Sequence, residues 1–113
     1  MSETEVIAGI NKVLSKLSEE KNKKRFKNWN KLIGFTFKDF GKTWVTALTA
    51  GVPSELKEQE IDKLVKYDIH VSTTPAIWLG ILNKEIDAMK AFTSGDLKIK
   101  GSMTDLLKLR KVL

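Results

Sequence analysis

Between Thr4 and Ser18 the apolar residues Val6, Ile10, Val13, Leu14 and Leu17 recur at helical steps along the chain. Such spacing puts them on one face of an amphipathic helix. Residues 21–31 follow with six basic residues and no acid, interleaved with Phe26 and Trp29, and either extend this helix or start a second. From Leu32 to Lys38 the period changes to two: Ile33, Phe35 and Phe37 point one way, Gly34 and Thr36 the other. This is the signature of a half-buried strand. Asp39-Phe40-Gly41 turns the chain, and the β-branched and aromatic run from Lys42 to Ala50 completes a hairpin.

Gly51-Val52-Pro53-Ser54 breaks the pattern. In the charged stretch 55–66, Leu56, Ile61, Leu64 and Val65 fit neither period, so a short strand and a helical turn both remain open. Tyr67, Ile69 and Val71 alternate with Asp68, His70 and Ser72 as a strand with one dry face. Thr74-Pro75 reads as an N-cap with proline at the first helical position, opening a helix that buries Ile77, Trp78, Ile81 and Leu82. A short helix over 87–93 closes at Ser94-Gly95, Leu97 and Ile99 mark a last strand, and Met103, Leu106, Leu107 and Leu109 mark a final helix. The order predicts one α+β domain over residues 1–113, with helices gathered against one sheet.

A chain of 113 residues can bury a core without staples, and with no cysteine it has neither disulfides nor a thiolate nucleophile. The longest apolar run, Ala76 to Leu82, is interrupted by Gly80 and is far shorter than the ~20 residues of a membrane helix. The acidic start Met1-Ser2-Glu3-Thr4-Glu5 is unlike a signal peptide, and the final Lys-Val-Leu shares only its last residue with a peroxisomal Ser-Lys-Leu signal. The expectation is a cytoplasmic protein.

A net charge of +6 points toward anionic partners. Lys23, Lys24, Arg25 and Lys27, with Phe26 and Trp29 as interfacial anchors, are the candidates for contact with an anionic membrane or nucleic acid. A solvated helix face is the simpler account of such a run, and nucleic acid is not favoured.

Chemistry is harder to seat. Gly41-Lys42-Thr43 resembles the tail of a phosphate-binding loop, but position 36, where the loop needs glycine, is Thr. The aromatic run from Phe35 to Phe40 partly matches the base-stacking strand of RNA-recognition domains, yet no earlier strand supplies the second aromatic motif. His70 is the sole histidine, expected on an exposed polar strand face. Glu55, Glu58, Glu60 and Asp62 show no pairing suited to acid–base work. No catalytic residue, metal ligand or cofactor is assigned.

The segment Ala91-Phe92-Thr93-Ser94-Gly95-Asp96-Leu97-Lys98-Ile99-Lys100-Gly101-Ser102-Met103, continuing through Leu106, Leu107, Lys108 and Leu109, resembles the signature of the sterol carrier protein type 2 family of non-specific lipid-transfer proteins. An aromatic near a helix end, a glycine, a Leu-x-Ile strand, a second glycine and an apolar helix occur in the family's order. More weakly the resemblance reaches upstream to about Leu32 and includes Trp44.

The resemblance implies a five-stranded, mostly antiparallel sheet with helices on one face and an apolar tunnel between the layers for a fatty acid, acyl coenzyme A or sterol-like ligand. The expected activity is lipid binding and transfer, with no chemistry of its own. Expected lining residues are Phe35, Phe37, Trp44, Ile69, Ile77, Trp78, Ile81, Leu82, Met89, Phe92, Leu97, Ile99, Met103, Leu106 and Leu107, with Arg110 meeting a carboxylate or phosphate at the mouth. Those before Phe92 rest on periodicity alone. A surface binder acting through residues 21–31, or an accessory lipid-presenting subunit of an acyl-transforming enzyme, are the alternatives. An empty ~300 Å³ tunnel would cost roughly 7 kcal/mol, so the free protein is expected to fill, hydrate or close it.

Overall fold

The computed structural model describes residues 1–113 and orders them as five α-helices against a six-stranded sheet. Helix α1 (Glu3–Ser15) starts at a capping box in which the Ser2 hydroxyl accepts from the Glu5 amide and the Glu5 carboxylate accepts from the Ser2 amide. It buries Val6, Ile10, Val13 and Leu14 as its periodicity predicts. The basic run starts a second helix, α2 (Glu20–Phe26); Asn22 closes the bend by donating from Nδ2 to the Lys16 carbonyl at 2.9 Å.

Strands β1 (Lys31–Phe37) and β2 (Lys42–Thr49) form the expected hairpin, with Phe35 opposite Trp44. Gly41 closes its turn at φ 67°, a left-handed conformation that glycine adopts without a Cβ penalty. β3 (Val52–Pro53) and β4 (Lys57–Glu60) both pair with the far edge of β2. On the other side of the hairpin, β5 (Ile69–Ser72) runs parallel to β1, and β6 (Lys98–Lys100) pairs antiparallel with β5. The sheet is therefore six-stranded rather than five-stranded, and mostly antiparallel.

β3 occupies Val52–Pro53, where the sequence reads as a break, and the open choice over 55–66 resolves as a short strand, β4. Its four residues are all exposed, so it has no dry face for a periodic pattern to reveal, and backbone pairing to β2 defines it. The connection from β4 to β5 brings Tyr67 over the outer face, where a Cβ on Gly34 would meet the tyrosine ring at 3.0 Å. β1 is consequently buried on both faces, not half-buried.

Helices α3 (Pro75–Leu82), α4 (Ala88–Ser94) and α5 (Met103–Arg110) complete the chain, each with a side-chain cap: Thr74, Asp87 and Ser102. α3 crosses α1 at Gly9, where an added Cβ would lie 2.5 Å from Leu82 Cδ1 and 2.9 Å from Trp78 Nε1. Trp78, fully buried, meets Phe35 and Phe37 edge-on at ring separations of 5.8 and 6.1 Å, and Trp44 joins through Phe37 at 5.8 Å. These rings fill the space between the sheet and α1 and α3. No helix is long and apolar enough to cross a membrane.

Candidate lipid-binding cleft

The open apolar space lies at one end of the molecule, between α4, β6 and α5. Each wall is set by a local signal. Asp87 accepts from the Met89 amide to start α4, and Gly95 at φ 87° ends it. Gly101 passes the Asp68 carbonyl so closely that an added Cβ would lie 3.1 Å from the oxygen, and Ser102 then caps α5 by accepting from the Asp105 amide.

Ten residues line a cleft of about 130 Å³: Ala88, Met89 and Phe92 from α4; Leu97 and Ile99 from the β6 segment; Met103, Leu106, Leu107 and Arg110 from α5; and Leu113. Nine are apolar, and Arg110 is the one charged group. Its side chain is exposed and takes part in none of the molecule's five ion pairs. The lining has no nucleophile, carboxylate side chain or histidine.

Of the residues expected at a lipid site, Met89, Phe92, Leu97, Ile99, Met103, Leu106, Leu107 and Arg110 come together here. Phe35, Phe37, Trp44, Ile69, Trp78 and Ile81 are instead buried in the closed core, with Ile77 and Leu82 packed against it. Ala88 and Leu113 escaped the sequence reading; Ala88 is small, and Leu113 lies past the last periodic position.

Electrostatics fix α5 over this end. Trp29 Nε1 donates to Asp105 Oδ1 at 2.9 Å and Lys31 Nζ lies 3.1 Å from Oδ2. Burial alone would push the Asp105 carboxyl up, but the donors Trp29, Lys31 and Ser102 outweigh it and hold the group below its ordinary value.

Phe26 and Trp29 are therefore not interfacial anchors, being 1 % and 2 % exposed. α2 folds its aromatic side inward and the rings pack 5.1 Å apart, leaving Lys23, Lys24, Arg25 and Lys27 in solvent. His70 is not fully exposed either. Its ring lies 5.0 Å from that of Tyr67, tilted by 48°, and its Nε2 sits 2.6 Å from Thr36 Oγ1, while burial and then the Lys100 charge push its pKa down.

The sequence model of the SCP-2 sterol transfer family matches residues 10–113. A search of curated proteins found no match. Among solved structures, the chain is similar to sterol carrier protein 2, with TM-score 0.66 and 19 % identity, covering 93 % of this chain and 87 % of that one. It is also similar to palmitated SCP2L2 from Aedes aegypti, with TM-score 0.63, 18 % identity and coverage of 99 % and 94 %. The inverting sec-alkylsulfatase Pisa1 from Pseudomonas sp. matches with TM-score 0.59 and 20 % identity over 80 % of this chain; the chain spans only 14 % of that enzyme's length.

Proposed function

The chain belongs to the SCP-2 sterol transfer family, and from that premise we propose that it binds a fatty acid or a similar single-chain lipid in the cleft between α4, β6 and α5. The observation that carries this reading is the lining itself: nine apolar residues converge on one open cleft with a single unpaired cation, Arg110, at its edge. Apolar burial supplies affinity at roughly 25 cal/mol per Å² and is indifferent to chain identity. A guanidinium at the mouth favours a ligand ending in carboxylate or phosphate. The lining residues support binding and transfer rather than catalysis.

The cleft is small for such a guest. Its open space of about 130 Å³ is less than a long-chain fatty acid or a sterol fills. α4 must part from α5 to admit one, and α4 is the more weakly held of the two. α4 buries only Ala91, and α5 only Asp105 and Leu109, whereas α1 buries five residues.

Titration of delipidated protein into a fluorescent fatty acid, with unlabelled fatty acid, acyl coenzyme A and sterol as competitors, tests the reading. Saturable one-to-one binding that hardly changes with salt is the expected result. Absence of binding to any of the three would refute it.

A second reading is lipid presentation to a separate acyl-transforming enzyme; the occurrence of this fold as a small part of a sec-alkylsulfatase supports its association with an enzyme but not the acyl chemistry. It uses the same cleft, and capture of one such enzyme from cell extract by the loaded protein would support it.

A further inference from the structure

We propose that the rim of the cleft is itself the docking surface for an anionic bilayer, so that lipid passes between membrane and cleft at one place. The proposal rests on the cleft being the lipid site, and it moves membrane contact away from α2. On that helix the one aromatic residue, Phe26, is buried, and the exposed side chains are Glu20, Lys21, Lys23, Lys24 and Arg25.

The α4–α5 rim has the opposite character. Met89, Phe92, Met103 and Leu107 are 42, 40, 71 and 54 % exposed, and all four border the same cleft. Four large apolar side chains grouped on two adjoining helices are not the scattered exposure expected of an ordinary surface. They are flanked by cations: Lys90 shares a surface depression with Met89, Arg110 stands at the cleft edge, and Lys111 follows it in solvent.

Exposed apolar side chains framed by Lys and Arg match a headgroup layer, where the apolar groups enter the acyl boundary and the cations meet anionic lipid. The one acid on α5, Asp105, is turned inward and paired with Lys31, so it does not oppose that charge. A second copy is disfavoured as occupant, because two such rims would bring their cations together on molecules that each carry +6.

Flotation of the full chain with phosphatidylcholine vesicles, with and without admixed phosphatidylglycerol, provides the test. Wild-type protein is expected to float with the anionic vesicles and to be released by salt. Reversing both flanking cations, Lys90→Glu with Lys111→Glu, should weaken vesicle binding about tenfold or more, at ~1 kcal/mol per basic residue near the surface. Lys23→Glu with Lys24→Glu should leave it nearly unchanged.

Failure of the wild type to float, or equal flotation of the Lys90/Lys111 variant, overturns the proposal. So does a wild-type dimer in sedimentation velocity that the same variant dissociates, which would assign the rim to a second copy. None of these outcomes bears on fatty-acid titration in vesicle-free buffer, which reads the cleft alone.

Discussion

Trp29 and Asp105, 76 positions apart in sequence, are joined by a buried hydrogen bond of 2.9 Å that ties α5, one wall of the candidate cleft, to the loop entering the first strand. Lys31 lies 3.1 Å from the other carboxylate oxygen, so both oxygens hold α5 in place.

Asp105→Ala leaves the Trp29 indole N–H and the Lys31 ammonium without their partner. The expected loss of stability is about 2–4 kcal/mol, read from urea denaturation. The pH dependence has a definite sign. The folded-state pKa of Asp105 lies below its unfolded value of about 4, so its contribution is complete above about pH 4 and drains away as pH falls through the folded-state value. Asp105→Asn should flatten stability in that acid range and leave the shape of the curve near neutrality unchanged.

His70 titrates in a different window. Its pKa is depressed by burial and then by Lys100, so the neutral ring stabilises the fold fully above about pH 6.5, and that stabilisation is lost as pH falls through the folded value. The ring resonances should show a midpoint below 6.5 in an NMR titration. His70→Gln should remove the matching slope from the stability curve.

Gly9→Ala tests the crossing of α1 and α3. Alanine favours an isolated helix by about 1 kcal/mol over glycine, yet here its methyl would press on Leu82 and the buried Trp78 indole. Net destabilisation of about 1–3 kcal/mol is expected from thermal melts. A gain in stability would show that α3 shifts freely.

Arg110→Ala should weaken binding of a fatty acid by up to about fivefold, the scale of an exposed ion pair, while leaving affinity for its methyl ester unchanged. Equal affinity of wild type and variant for the free acid would remove Arg110 from ligand recognition.

Much of this architecture was legible because its signals are local. The α1 stripe, the β1–β2 hairpin, the Thr74-Pro75 helix start and the Gly95 stop each lie within a few residues, and the structure has all of them. β4 was legible only as one of two open choices over 55–66, since Lys57-Glu58-Gln59-Glu60 has no buried face and exists through pairing with β2 and the Lys42–Glu58 ion pair. The inward turn of Phe26 and Trp29 was hidden for a related reason: the partner that satisfies Trp29 comes from the far end of the chain.

Within the site, periodicity identified apolar faces but could not divide them between filled core and open cleft. Phe35 and Phe92 are the same residue type on regular elements, yet one is sealed against Trp78 and the other borders the cleft. That division depends on which helices cover which part of the sheet, a tertiary fact.

The cleft as the lipid site is tested most directly through the methionines. The chain has three, of which Met89 and Met103 line the cleft and Met1 precedes α1 outside it. In a spectrum of protein labelled with ¹³C at the methionine methyls, added palmitate should shift the Met89 and Met103 signals, give nuclear Overhauser contacts from them to the acyl chain, and leave Met1 in place. Saturable palmitate binding that leaves both cleft methyls unmoved and contactless would contradict the account.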